Sequence, residues 1–171
     1  LLVTAGLAGL HSGWAAEEPP RIRVEAPPAL AAIGREVERL APEAMSAAAA
    51  LVGGDPVAIA ADLSPIQIVL VPEGTAAARA VAPWISGYAI SGGAGGAGGG
   101  ARGPGRIVLF PARVDRYPDF NLDGLLRHEL THLFVDHAAG GGGEVPRWFN
   151  EGLAMAVGRE AGLGDRARVA L

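Results

Sequence analysis

At 171 residues the chain is long enough to bury a core of its own and fits one domain. Its net charge of −4, with no basic stripe, excludes the electrostatic footprint of a nucleic-acid binder, and the absence of cysteine excludes disulfides and a lipid-modified cysteine. All 14 basic residues are Arg, which together with abundant Ala, Gly and Pro marks a GC-rich bacterial genome.

Leu1 to Leu10 is small and apolar, and Gly13-Trp14-Ala15 is a small-x-Ala site ahead of the polar, Pro-rich Glu17-Glu18-Pro19-Pro20. Leu1 to Ala15 therefore reads as a secretory signal peptide without its basic front, and Ala16 to Leu171 as the exported domain. A membrane anchor is the competing reading, but this run is too short to span about 30 Å as a helix. Export without disulfides fits a secreted or periplasmic, cell-envelope protein of a bacterium.

Ala29 to Val52 has helical spacing, with Ile33, Val37, Leu40 and Met45 near one face and an interruption expected at Pro42. Glu36, Glu38 and Glu43 read as a solvated face of that helix. Ile66 to Val71 is a β-branched run bounded by prolines and predicts a central strand. Thr75 to Val81 fits a short helix, and Trp84 to Ile90 and Arg106 to Phe110 fit two further strands. The Gly92 to Gly105 stretch contains G-x-G-x-x-G at Gly98 to Gly103, but it leads into a strand. A phosphate loop must lead into a helix N-terminus, so a plain hairpin loop is expected.

The chemistry begins at His128-Glu129-Leu130-Thr131-His132, an H-E-x-x-H pattern. On a helix, histidines four apart project from one face and can share one metal ion, with the intervening glutamate beside the vacant coordination position. Asn121 or Asp123 can cap such a helix. Turning about 100° per residue places Leu122, Leu126, Leu130, Leu133 and Phe134 on one arc. Leu125, His128, Glu129, His132 and Asp136 fall on the other, so one face can enter a core while the other meets a cleft. Two histidines are too few for a catalytic zinc, which takes three protein ligands and a water. Glu151, in Pro146-Arg147-Trp148-Phe149-Asn150-Glu151-Gly152-Leu153-Ala154, supplies a third ligand if a second helix packs on the first. Pro146 suits the start of that helix, and Trp148, Phe149, Leu153 and Val157 are its expected apolar anchors. Ala138 to Glu144 is the Gly-rich turn between the two.

HELTH followed after 18 residues by the glutamate of WFNEGLA resembles the gluzincin zinc metallopeptidases, with thermolysin-like enzymes the familiar members and peptidase MA-like domains the closer match. The resemblance is strongest over Leu122 to Val157. It implies an α+β, zincin-like fold: a small mixed sheet, an active-site helix and a following third-ligand helix. It also implies one zinc ion held by His128, His132 and Glu151, with Glu129 as general base for hydrolysis of peptide or protein substrates. Asn150 matches the asparagine that often precedes the third ligand. By the same resemblance Gly87 to Ser91 is the edge strand that takes up the substrate main chain. Thermolysin-like proteins place an aspartate four residues after the third ligand, where this chain has Met155. The partner that orients His128 must then be Asp136 or a backbone carbonyl. Tyr88, Tyr117 and Arg147 are the candidate oxyanion donors, whereas His137 reads as a packed or helix-end residue. The domain is expected to continue beyond Leu171. A catalytically silent interaction domain of the cell envelope, keeping the fold, is the rival reading.

Overall fold

The computed structural model describes residues 22–92, 104–116, 121–140 and 145–158. The leader-like segment, the G-x-G-x-x-G run, Tyr117 and most of the Gly-rich turn after Ala138 lie outside these residues. Among the described residues no helix is long and apolar enough to cross a membrane.

The strands are β1 (Ile22–Glu25), β2 (Ile66–Leu70), β3 (Gly87–Ile90) and β4 (Arg106–Leu109). They form one mixed sheet in the order β1-β2-β4-β3, in which β1, β2 and β4 are parallel and β3 runs antiparallel to β4 at the edge. The fold is therefore α+β with a small mixed sheet, as expected. The run IQIVL does form an interior strand, because alternate residues serve two covered faces. Ile66, Ile68 and Leu70 enter the main core, while Val108 and Phe110 at the end of β4 enter a smaller cluster with Ala78 on the opposite face. β1 has no counterpart in the expectations above. Its IRVE sequence half-buries Ile22 and Val24 against the main core and exposes Arg23 and Glu25, and register with Ile66 to Val69 completes it as a strand.

Among the described residues five α-helices accompany the sheet: α1 (Ala31–Val52), α2 (Pro56–Asp62), α3 (Ala76–Arg79), α4 (Leu122–Ala138) and α5 (Arg147–Gly158). The interruption expected at Pro42 does not occur, since α1 runs through it without a break. Proline removes one backbone donor, and both Pro42 and Glu38, whose carbonyl loses that partner, are exposed to water. The opposite face of α1, lined by Val37, Ala41, Ala44 and Ala48, is buried against the core and holds the helix together.

α4 packs against α1 and, like α1, against the sheet, α1 meeting β1 and α4 meeting β3. Asn121 caps it, its Oδ1 accepting from the Gly124 amide at 2.8 Å. Leu126, Leu130, Leu133 and Phe134 are fully buried, each contributing on the order of 2 kcal/mol of transfer free energy. Leu125, expected on the cleft side, is buried as well, because that side of the helix is partly roofed by β3. Glu43 is not a merely solvated residue: Arg127, itself buried, donates to Glu43 and to Asp123 at 2.8 Å each and so clamps α4 to α1. The Asp123 hydrogen bond raises the Arg127 guanidinium pKa further.

α5 crosses back antiparallel to α4, since its end meets the start of α4 at Gly158 and Gly124 while its beginning meets His132 at Asn150. The expected anchors Trp148 and Phe149 are instead exposed, at 77% and 45%, and stack edge-on against each other. Buried small residues, Ala154 and Gly158, form the seam. A Cβ on Gly124 would come within 2.8 Å of the Gly158 carbonyl oxygen, so the approach requires glycine. Bulky anchors would have held α5 away from α4.

Candidate metal centre and cleft

The backbone of α4 fixes the first half of the site. His128 and His132 stand one turn apart, with ring centroids 4.7 Å apart and Nε2 atoms 3.0 Å apart. The small-residue seam then brings the first turns of α5 close enough for Glu151 to join them. Its Oε2 lies 3.7 Å from His128 Nε2 and 3.8 Å from His132 Nε2. These three ligand atoms lie within 4.8 Å of one another and could hold a metal ion. A tetrahedral ion with bonds of about 2.0–2.1 Å sets its ligands about 3.3 Å apart, and the three observed separations straddle that spacing. All three residues are thus brought together as the sequence implied.

Asn150, the residue before Glu151, has a defined task. Its Oδ1 accepts from His132 Nδ1 at 2.9 Å, which places the ring proton on Nδ1 and leaves the Nε2 lone pair facing the cluster. A carboxylate and an amide from adjacent positions of α5 would therefore serve the same ion, one directly and one through a histidine. On the outer side Arg147 Nε approaches Glu151 Oε1 at 3.7 Å from an almost fully exposed position.

The cluster opens into a cleft of about 460 Å³ lined by Ile85, β3, Ser91, the α4 residues His128, Glu129, His132 and Asp136, and Arg147, Asn150 and Glu151 of α5. Glu129 is buried here, at 4% exposure. Its Oε1 would lie only 2.9 Å from a Cβ at Gly87, where Leu109 and Leu125 also close in at 3.0 and 3.1 Å. Gly87 is therefore what lets the edge strand run directly over the carboxylate. Neither the sequence periodicity nor the resemblance singled it out. A lone glycine in the middle of the strand expected over Trp84 to Ile90 was the available signal.

β3 turns half of its backbone toward this cleft. In an antiparallel pair, opposed residues alternate between those that exchange hydrogen bonds and those that do not. The Phe110 amide donates to the Ser86 carbonyl, and Ser86 stands opposite Phe110 in the register. Tyr88 and Ile90 consequently bond to β4, whereas Gly87, Ala89 and Ser91 present their amides and carbonyls to the open side.

A buried arginine holds the segment that leads into β3. Arg113 donates from Nη1 to the Ala82 and Ile85 carbonyls at 2.9 Å each and from Nη2 to the Ala78 carbonyl at 2.8 Å. It also pairs with Glu73 and lies over the Phe110 ring at 4.2 Å. No local pattern points to this role, because nothing in PAR distinguishes a buried arginine from a surface one. Among the proposed oxyanion donors, Arg147 reaches the cleft. Tyr88 lines it too, but its ring packs near Phe110 on the sheet face away from α4. His137 sits at the end of α4, with Nε2 3.5 Å from Asp62 of α2, as its helix-end reading implied.

Comparison of the chain with protein-family models, curated proteins and solved structures yields no match. The fold and the site themselves define an α+β domain with a two-histidine, one-glutamate cluster on a helix pair, facing an exposed sheet edge.

Proposed function

We propose that this chain is a zinc-dependent metallopeptidase domain of the gluzincin type, with a zincin-like arrangement of sheet and helices. The observation that carries the proposal is the convergence of His128, His132 and Glu151 in one cleft with the buried Glu129 and an open strand edge. Two imidazole nitrogens and one carboxylate oxygen are a donor set typical of catalytic zinc, which leaves one position for water. Zinc bound there supplies Lewis acidity that brings the pKa of water to about 7 and polarises a substrate carbonyl.

The protein's own residues supply the rest. Asn150 fixes the tautomer of His132, so that the ligand nitrogen is ready without a rearrangement. Glu129 accepts the proton of the attacking water on its carboxylate as the water oxygen bonds to the peptide carbon. It then returns that proton to the leaving amide nitrogen as the C–N bond breaks. Its burial between α4 and β3 shields the transfer from bulk water and holds the carboxylate in one orientation. The outward backbone groups of Gly87, Ala89 and Ser91 take an extended peptide by strand addition, which binds main chain without regard to side-chain identity.

Metal analysis of the purified chain beside Glu151→Ala and Glu129→Gln tests this reading. About one zinc per chain is expected in the parent and in Glu129→Gln, with most of it lost in Glu151→Ala. Cleavage of a casein or mixed-peptide substrate should fall at least about 100-fold in Glu129→Gln. A folded parent that binds no zinc overturns the proposal. A zinc-loaded parent that cleaves nothing favours the silent interaction domain instead.

A further inference from the structure

Among the charged side chains lining the cleft, the proposed chemistry uses all but two. His128, His132 and Glu151 form the cluster, Glu129 is the base, and Arg147 leans on Glu151. Asp136 is left over as the remaining anion. It is partly exposed, lines the same cleft, and forms no hydrogen bond or ion pair with another described residue. It also lies in the last turn of α4, where the negative end of the helix dipole adds to its own charge.

The position of Asp136 along the cleft follows from the packing of β3 on α4. Gly87 lies against Leu125 and Glu129, while Gly105, next to the partner of Ile90, lies against Leu133. The strand thus runs alongside the helix in the same direction, and its Ser91 end is the end nearer Asp136. A peptide added to β3 pairs more stably antiparallel than parallel. Its N-terminal portion then lies toward Ser91 and Asp136, and its scissile bond toward Glu129.

We infer that Asp136 is a specificity-determining residue that selects substrates carrying a positive charge on the N-terminal side of the scissile bond. This rests on the peptidase reading and narrows it to one substrate class. The charge is either a Lys or Arg side chain or a free α-amino group, and both present N–H donors to a carboxylate. A neutral or acidic residue at that place leaves Asp136 facing no counter-charge or a like one.

The test uses paired peptides that differ only in Lys against norleucine at successive positions before the cleaved bond, each with a free and with an acetylated N-terminus. The zinc-loaded chain should prefer the cationic peptide by about tenfold in kcat/KM, the worth of one charge-assisted hydrogen bond. The preference should shrink with added salt and vanish in Asp136→Asn, with zinc content unchanged and the preference retained in Asp136→Glu. Dependence on acetylation rather than on Lys assigns the charge to the α-amino group and the enzyme to aminopeptidases. Equal rates for all peptides, or a preference that survives Asp136→Asn, overturn the inference while leaving the peptidase reading intact. If nothing is cleaved, fluorescence anisotropy with the zinc-loaded Glu129→Gln protein decides. A Lys preference that depends on Asp136 supports the inference although the peptidase reading has failed, and binding without charge preference, or no binding, overturns it.

Discussion

The two walls of the cleft are built by different means. The helical wall, α4 and α5, takes its geometry from short-range spacing: one turn of helix separates His128 from His132, and adjacent positions supply Asn150 and Glu151. The strand wall takes its geometry from residues far apart in the chain. Arg113 gathers the carbonyls of Ala78, Ala82 and Ile85 from about 30 positions away, and Gly87 admits Glu129 by having no side chain. A helical wall tolerates change in its surroundings because its own hydrogen bonds hold the spacing. A wall assembled from long-range contacts depends on each of them.

Arg113→Met breaks the comparison most sharply. It removes the hydrogen bonds to the Ala78, Ala82 and Ile85 carbonyls together with the ion pair to Glu73, and should cost about 3 kcal/mol, read as a fall in Tm and in the denaturant midpoint. Because α4 and α5 do not depend on Arg113, the folded fraction should still bind zinc at the parental affinity. Loss of zinc with an unchanged Tm would refute the division into two walls. Next in size is Asn150→Ala, which touches only the helical wall. Loss of the Asn150 hydrogen bond to His132 should weaken zinc binding by about 10- to 100-fold in competition with a chelator, with little change in stability. An unchanged zinc affinity would show that His132 needs no such partner. Smallest is Ala89→Pro on the open edge. Its amide points away from β4, so the β3–β4 ladder should survive while a substrate carbonyl loses one main-chain donor. An increase of about fivefold in peptide KM, with kcat nearly unchanged, is expected for one hydrogen bond. If KM stays at the parental value, substrate does not add to β3 as a strand.

Much of the helical wall could be read from the residues alone. The H-E-x-x-H spacing, the cap at Asn121 and the position of Glu151 near a helix start are local, and local rules decided them. The strand runs of β2 and β4 were legible for a similar reason, since dense β-branched segments between turn residues have few alternatives. Elsewhere local rules misled. Pro42 breaks helices in general, yet the buried alanine face of α1 carries the helix through it. Trp148 and Phe149 suggest an apolar anchor, yet the distance required between Glu151 and the histidines is met only by small residues at the seam. Glu43 suggests a solvated face, yet it is the counter-charge of a buried arginine on another helix.

The sequence by itself determined which side chains share a helix face, because a helix converts spacing into direction through hydrogen bonds made within the element. It fixed the relation of His128 to His132, and of Asn150 to Glu151, before any tertiary contact formed. Only the tertiary structure decided that these two pairs meet, that Glu129 lies beneath Gly87, that β3 is the edge with its Gly87, Ala89 and Ser91 groups open, and that Asp136 faces the same cleft. Those relations join residues through packing and long-range hydrogen bonds, whose partners no local pattern names.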